Sequence, residues 1–246
     1  MTAQSEELAA RYLSVKNDIQ VACGRFGRNP DDVQLIVISK NHSSELVENL
    51  YTLGQRHFGE NRDQEASPKA EETSDLEGIT WHFVGQLQSN KVKSVLRYAS
   101  AIHSLDRPSL LNALDKETQK LNAARVEAGQ SPATPIDVFI ELNLTGDPER
   151  GGIEPTQVTL FAEQVLQVAG VNLQGVMGVA SVASPTDPLV AERDFETILR
   201  ASDAVKLLKP EAKYISAGMS GDFETALQFG ATHLRIGTAI TGQRSY

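Results

Sequence analysis

The sequence predicts an α/β fold, a single (β/α)8 TIM-type barrel with an extra helix at its N-terminus. Three observations predict this fold. The chain has 246 residues, close to the ~250 residues that are typical of such barrels. Short apolar runs rich in β-branched residues alternate eight times with segments of helical period. No low-complexity tract or shift in composition marks a boundary, so residues 1–246 are expected to form one domain.

The predicted elements follow one another in the order that a barrel requires. A helix is predicted from Glu6 to Phe26, where apolar residues recur with the helical period before Gly27. The run Val33–Ser39 is mostly apolar, as is typical of a parallel strand that helices cover on both faces. Seven more strands are predicted at His57–Glu60, Thr80–Val84, Ala101–Ser104, Ile136–Leu142, Leu173–Gly178, Lys213–Ser216 and His233–Ile236. Helices between them are predicted at Ser43–Gly54, Ser89–Arg97, Ser109–Glu127, Thr156–Val168, Val190–Leu208 and Phe223–Phe229.

Composition narrows the class of protein. The formal net charge is −9 and Lys and Arg do not cluster, which argues against nucleic-acid binding. No apolar stretch approaches the ~20 residues needed to cross a bilayer, so no membrane association is expected. The N-terminus lacks a basic segment followed by an apolar one, which predicts a cytoplasmic protein. With Cys23 as the single cysteine and five scattered histidines, we expect no disulfide and no metal site.

Two loops at the expected mouth of the barrel suit an anion. In TIM-type barrels the site lies at the carboxyl ends of the strands, and phosphate is often held after strands seven and eight. The loops there are Ser216–Asp222 and Arg235–Ile240, which combine glycines with hydroxyl side chains. Backbone N–H groups, hydroxyls and a helix start near Ser220 would donate to phosphate oxygens. Taken alone, Ser216–Asp222 is equally well a strand-to-helix turn in which Ser220 or Asp222 caps the helix.

Lys40 directly follows the first strand and is expected at the same mouth. A neutral lysine amine attacks an aldehyde and forms an imine. By spacing alone, a solvated lysine at a strand end is the favoured interpretation. Beside a phosphate site, however, the lysine indicates a ligand that carries both an aldehyde and a phosphate ester. Pyridoxal 5′-phosphate, PLP, fits that description.

Arg235 ends the eighth strand and is placed to contact the ring nitrogen of such a cofactor. Because guanidinium keeps its protons and accepts no hydrogen bond, it would leave the pyridine nitrogen unprotonated and weaken the ring as an electron sink. The alternative, a surface salt bridge, is disfavoured by the apolar and glycine neighbours. Glu60 is open as either a general base or a cap or salt-bridge partner. Structural or surface roles are expected for His57, His103 and His233.

Five segments together carry a resemblance to a known family. They are Val37–Lys40, Phe58–Asn61, Trp81–Lys91, Ser216–Ser220 and Arg235–Ile240. Their order and spacing resemble those of the pyridoxal phosphate homeostasis protein family over nearly the whole chain. That family is similar to the N-terminal barrel of alanine racemase, so the resemblance implies a PLP barrel of fold type III.

The resemblance also implies roles for residues of this sequence. Lys40 would be the lysine that holds PLP as a Schiff base, and Arg235 the partner of the pyridine nitrogen. Asn61 and His82 would line the mouth near the ring. The implied phosphate site comprises Ser216, Met219, Ser220, Gly237 and Thr238.

Two positions depart from the family pattern. His42 stands where a second lysine is common beside the cofactor lysine, and Arg150 stands where another lysine is common. Arginine binds phosphate but forms no ordinary Schiff base. The resemblance therefore does not extend to a transfer of PLP from one lysine to another at these positions.

The leading hypothesis is a PLP carrier, a homeostasis protein that regulates intracellular PLP and amino-acid balance and supplies PLP-accepting apo-enzymes. The alternative is a PLP-dependent amino-acid racemase, which needs a second base that the related enzyme takes from a tyrosine of another domain or subunit. The sequence ends at Tyr246, just beyond strand eight, so no second domain is expected and a monomer is predicted. A third hypothesis, a barrel for another phosphorylated metabolite, would leave Lys40 unmodified.

Overall fold

The computed structural model describes residues 3–147, 149–181 and 186–242, so Tyr246 lies outside the described residues. The strands are β1 Gln34–Ile38, β2 His57–Glu60, β3 Thr80–Phe83, β4 Ala99–Leu105, β5 Ile136–Leu142, β6 Val171–Gly178, β7 Tyr214–Ser216 and β8 His233–Ile236. They are all parallel and pair in chain order, and β8 pairs with β1 to close a barrel. The predicted (β/α)8 barrel is confirmed.

Helices follow the strands and cover the outside of the barrel. They are α1 Ala3–Arg25, α2 Ser44–Thr52, α3 Asp63–Glu72, α4 Val92–Val95, α5 Pro108–Glu127, α6 Val158–Val165, α7 Pro188–Leu208, α8 Phe223–Gln228 and α9 Thr238–Thr241. Short 3-10 turns lie at Pro30–Asp32, Ser89–Lys91 and Pro155–Gln157. The extra N-terminal helix, α1, is confirmed and packs against α2, α8 and α9. In the described ranges, no helix has the length and apolarity needed to span a membrane.

The sequence pattern does not predict α3 or α9. The inner face of α3 buries Asp63, Ala66 and Lys69. Because two of these residues are charged and the sequence places Pro68 inside the helix, no apolar period marks it. Four residues form α9, which is too short for a periodic pattern. The predicted strands, by contrast, agree with the structure to within two residues at each end.

The layer between the sheet and the helices is apolar. Its buried side chains include Val37, Phe58, Trp81, Ile102, Leu110, Val138, Phe161 and Phe195. Removal of such surface from water is the main favourable contribution to folding, at roughly 25 cal/mol per Å² of apolar area. This layer therefore holds the barrel together and fixes the positions of the strand ends.

The barrel interior is more polar than this outer layer. His103 of β4 and Ser216 of β7 are hydrogen bonded although their strands are not neighbours in the sheet. Both side chains therefore face the interior. His82 and Arg235 are each only 5% exposed, and His103 and Ser216 are fully buried. Polar groups at such depth require hydrogen-bond partners.

Candidate functional site

The rim where β1 meets β8 brings two predicted site regions together. Val37 pairs with Ile236, so the next residue of each strand, Ile38 and Gly237, also lie side by side. A Cβ atom placed on Gly237 would lie 3.4 Å from the Cβ atom of Ile38. Neighbouring strands are ~4.8 Å apart. The loop after β8 therefore stands beside the segment that leads from β1 to Lys40.

Lys40 begins a tight turn at this rim and is half-buried. The backbone N–H of His42 donates to the carbonyl of Ser39 at 3.1 Å. Asn41 has a φ of 60°, in the left-handed region that asparagine tolerates better than most residues. Its backbone N–H donates to Oε2 of Glu65 at 2.9 Å. The chain thus turns sharply directly after Lys40, which keeps this lysine at the mouth.

A buried ion pair contacts Ser39, the residue that precedes Lys40. Nζ of Lys69 donates to Oε1 of Glu60 and, at 2.9 Å, to the carbonyl of Ser39. The Ser39 hydroxyl also donates to Oε1 of Glu60, at 2.8 Å. Burial raises the pKa of Glu60, and the hydrogen bonds from Lys69 and Ser39 oppose this rise. Of the two interpretations of Glu60, the salt-bridge partner is confirmed, and the pair ties α3 to the strand end that carries Lys40.

Hydroxyl and N–H donors converge on the other side of the rim. The backbone N–H of Ala239 lies 3.3 Å from Oγ of Ser220, and the Thr238 hydroxyl lies 3.4 Å from the same oxygen. The two loops are joined by the backbone N–H of Arg235, which donates to the carbonyl of Gly218 at 2.9 Å. Ser220 Oγ accepts in both contacts, and because both are long, the uncharged N–H and O–H donors suit an anion with several oxygens, such as a phosphate ester.

The loop after β7 contributes less to this cup than its sequence predicts. Oδ1 of Asp222 accepts from the backbone N–H of Met219 at 2.6 Å, so this N–H is already bonded. Asp222 occupies the N-cap position of α8, but its side chain makes no capping hydrogen bond to the helix. The Met219 side chain is 38% exposed at the rim. A phosphate role for Met219 therefore stays a prediction.

Arg235 is buried below the rim and faces the barrel interior. Its guanidinium donates to Oγ of Ser216 at 2.7 Å and to the carbonyl of Gly178 at 2.9 Å. Burial lowers the pKa of Arg235 to about 10, an effect that Glu141 and Asp222 oppose, so it stays charged at neutral pH. The surface salt bridge weighed as an alternative is wrong, because Arg235 is buried and uses uncharged acceptors.

The structure places Ser216 and His82 inside the barrel, and their roles at a ligand stay a prediction. The Ser216 hydroxyl points into the barrel and contacts Arg235 and His103, so its side chain is not at the phosphate cup. His82 lies in the interior with 5% exposure, and its ring nitrogens contact His57 and His103. The physical reason is strand alternation, which turns both side chains inward below the rim. Direct contacts of Ser216 and His82 with a ligand therefore have no support from their placement.

Asn61 lies at the end of β2, beside a cleft of about 690 Å³ that Gln86, Gln88 and Lys91 also line. Its Oδ1 atom is buried and has no hydrogen-bond partner among the residues that the structure describes. An unpaired buried amide oxygen is costly, so a ligand that donates to it would be favoured. The structure thus leaves Asn61 suited to the ligand contact that the resemblance implies.

Glu141 lines a cavity at the mouth, and its sequence motif does not predict this. It lies on β5 and accepts from Nε2 of Gln86 at 3.2 Å. Burial raises the pKa of Glu141 to about 7, Asp106 adds to this rise, and Arg235 and Arg150 oppose it. A glutamate in the otherwise apolar run Ile136–Leu142 was the available signal. Glu141 gives the mouth a carboxyl group that titrates near neutral pH.

The residues present fit PLP in their chemistry. Lys40 supplies an amine, Ser220 and Thr238 supply hydroxyls for phosphate, and Arg235 supplies a donor for a ring nitrogen. Arg150, at the position where a lysine is common, lines a smaller cavity of about 280 Å³ together with Glu141. Among the described residues, no group of three or more His, Cys, Asp or Glu could hold a metal ion.

The chain is similar in sequence to proteins of one known family. The chain matches the family model for the alanine racemase N-terminal domain over residues 14–245. The pyridoxal phosphate homeostasis protein of Mycobacterium leprae is 35% identical, and the alignment covers 97% of this chain and 93% of that protein. The protein of the same name from Aquifex aeolicus is also 35% identical, over 96% of this chain and 98% of its own length.

Solved structures agree with these relatives. PipY of Synechococcus elongatus, solved with PLP bound, is 31% identical with a TM-score of 0.77 and covers 96% of this chain and 100% of PipY. Alanine racemase of Corynebacterium glutamicum, at 14% identity, shares the fold with a TM-score of 0.67, over 96% of this chain and 60% of the racemase. The fold and the rim thus define an alanine racemase-type barrel. Within that class, the chain belongs to the pyridoxal phosphate homeostasis protein family.

Proposed function

We propose that this chain binds PLP as a Schiff base on Lys40 and acts as a PLP carrier that regulates intracellular PLP and amino-acid balance. The observation that carries the proposal is that Lys40 directly follows β1, the strand that pairs with β8 and so lies beside the Ser220–Thr238 cup. One ligand that bears an aldehyde and a phosphate ester engages both. PipY, a relative of similar fold, has been solved with PLP bound.

Each residue would have a separate task in holding PLP. The hydroxyls of Ser220 and Thr238, with the backbone around Gly237, would donate to the phosphate oxygens. Arg235 would donate to the ring nitrogen, and the Asn61 amide would contact the ring edge. Lys40 would hold the cofactor through its amine, and bound PLP would supply the aldehyde that this amine needs to form a Schiff base.

The donor-only character of Arg235 favours a carrier over a racemase. It holds its own protons and leaves the ring nitrogen unprotonated, which weakens the cofactor as an electron sink. No specific observation favours the racemase alternative. We further propose that the protein acts as a single-domain monomer in the cytoplasm and that apo-enzymes requiring PLP receive the cofactor from it.

Visible absorbance tests this proposal. Purified protein is incubated with PLP, freed of excess ligand and scanned for the band of a lysine–PLP Schiff base. We expect the band in the wild type and in Lys91→Ala, a control that removes another lysine near the rim, and its loss in Lys40→Ala. A wild-type protein without the band, or a band that survives in Lys40→Ala, would overturn the proposal.

Two further assays separate the carrier from its alternatives. The loaded protein is mixed with an apo-enzyme that requires PLP, and recovery of enzyme activity is followed. We expect recovery, and no interconversion of L- and D-alanine at rates typical of enzymes. Rapid racemisation would favour the racemase instead, and elution as a dimer in gel filtration would contradict the monomer.

A further inference from the structure

A continuous row of side-chain hydrogen bonds runs through the barrel interior to Arg235. Arg235 lies 2.7 Å from Ser216, Ser216 lies 2.8 Å from Nδ1 of His103, and Nε2 of His103 lies 2.9 Å from Nδ1 of His82. Nε2 of His82 in turn lies 3.0 Å from Nδ1 of His57. The row joins five strands and ends at the first residue of β2, at the amino end of the barrel. Neither the phosphate cup nor Lys40 uses these histidines.

We infer that this row is a one-way hydrogen-bond chain that positions Arg235, with His57, His82 and His103 all carrying their proton on Nε2. The direction follows from Arg235, because a guanidinium only donates. Ser216 accepts from Arg235, and among the described residues its other partner is His103. The hydroxyl hydrogen of this fully buried serine therefore goes to Nδ1 of His103.

The remaining tautomers follow step by step. A neutral imidazole has one N–H and one acceptor nitrogen, so His103, accepting at Nδ1, donates from Nε2 to His82. His82 then accepts at Nδ1 and donates from Nε2 to His57. The opposite direction would leave the Ser216 hydroxyl hydrogen without an acceptor among the residues that the structure describes, and buried polar groups avoid that state.

Burial supports the neutral state that the chain requires. It lowers the pKa of His82 and of His103 well below the ordinary value, and the neighbouring histidines lower both further. A protonated imidazole would donate from both nitrogens and repel the donor that faces it. At neutral pH the hydrogen-bond chain is therefore intact, and the guanidinium of Arg235 is its one charged group.

The chain leaves Arg235 with two fixed anchors, the Ser216 hydroxyl and the Gly178 carbonyl. Two anchors on one planar group fix its plane as well as its position, so the remaining N–H groups keep one direction. His103 is thus a positioning residue for Arg235. The effect of His103 on PLP binding rests on the proposed function. The assignment of the histidine tautomers does not depend on it.

Nitrogen NMR of protein labelled with 15N-histidine tests the tautomers in the wild type without added PLP. Protonated and unprotonated ring nitrogens have distinct shifts, and the sequence has only five histidines to assign. We expect His57, His82 and His103 to be neutral and protonated on Nε2. If any of these three histidines carried its proton on Nδ1, or were an imidazolium at neutral pH, the proposed one-way hydrogen-bond chain would be refuted. This outcome does not depend on whether PLP binds.

Substitutions test the positioning role. His103→Leu removes the acceptor of Ser216, whereas His103→Gln keeps an acceptor oxygen and a donor. The matched control is His233→Leu, because His233 packs in the same interior but its Nδ1 contacts Thr232 instead of the chain. The readouts are PLP affinity, the position of the visible band, and circular dichroism as a check of folding.

Without His103, Ser216 loses its acceptor and no longer fixes the guanidinium of Arg235. We therefore expect His103→Leu to weaken PLP binding by about tenfold, close to the worth of one hydrogen bond from a charged group, and to shift the band. His103→Gln should restore both, and His233→Leu should change neither. Equal effects of His103→Leu and His233→Leu would overturn the positioning role. If the wild type did not bind PLP, the proposed function would be refuted. The NMR result would still test the direction of the hydrogen-bond chain.

Discussion

The two sides of the barrel sheet are built from opposite chemistry. The side that faces the helices packs apolar groups such as Val37, Phe58 and Phe195. The interior also contains hydrogen-bonded groups, including His103 and Arg235, where TIM-type barrels are usually filled with branched aliphatic side chains. The difference teaches that stability and positioning are separated in this fold. The outer layer fixes the strands, and the interior orients the groups that they carry to the mouth.

The largest expected effect breaks the outer layer. Phe195 of α7 is 2% exposed, and Phe195→Ala should lower the free energy of unfolding by about 4 kcal/mol through lost burial and a cavity. Leu207 of the same helix is 88% exposed, so Leu207→Ala should change it by less than about 0.5 kcal/mol. Urea unfolding measures the stability of both variants. Equal losses of unfolding free energy would contradict the role of the outer layer in stability.

The next effect concerns the buried ion pair that contacts Ser39. Lys69→Met leaves Glu60 buried without its cation and should cost about 3 kcal/mol of unfolding free energy. Lys120→Met is the control, because Lys120 is 58% exposed in its ion pair with Glu117 and should cost less than about 1 kcal/mol. A Lys69→Met protein as stable as the wild type in urea would show that the pair does not fix this strand end.

The interior should also respond to acid. Burial lowers the pKa of His233 from 6.5 to about 4 in the folded protein. The unfolded chain therefore binds a proton that the folded chain does not, and stability is lost as pH falls from about 6.5 towards 4. Between pH 7 and pH 5, His233→Gln should lose up to about 2 kcal/mol less than the wild type. If urea unfolding showed the same loss of stability between pH 7 and pH 5 in both proteins, this prediction would be contradicted.

Glu141 should show a smaller effect of opposite sign. Its folded pKa is raised from 4.5 to about 7, mainly by burial, so the folded protein keeps a proton that the unfolded chain loses. Stability is then lost as pH rises from about 4.5 to about 7. Glu141→Gln should reduce that loss by about 1 kcal/mol, after allowance for its contact with solvent. If the unfolding free energy, measured with urea, depended on pH equally in the two proteins, the Glu141 carboxyl would not be buried in the folded protein.

Local patterns predicted most of the fold. The bounds of β2, β5 and β8 follow from short runs with turn residues on either side, and the structure has them at the predicted positions. Lys40 was predicted at the mouth because barrel geometry puts the carboxyl end of every strand there. The helix α3 was missed because its buried face contains an ion-pairing lysine in place of an apolar stripe.

The interior was harder to predict because its contacts depend on closure of the barrel. His82, His103 and Ser216 come from three different strands, and no sequence spacing shows that they meet. Motifs identified Ser216 and His82 as notable but assigned them to the mouth. Strand alternation was the available signal for their direction, since it distinguishes side chains that face the barrel interior from those that face the helices.

Peptide mapping after borohydride reduction tests the central claim most directly. Reduction fixes PLP on whichever lysine holds it, and mass spectrometry of the digested protein locates the added group. We expect the adduct on Lys40 of the PLP-loaded wild type, with the Ser220 and Thr238 hydroxyls needed for tight loading. An adduct on Lys69 or Lys91 in place of Lys40, or no adduct at all, would contradict the account.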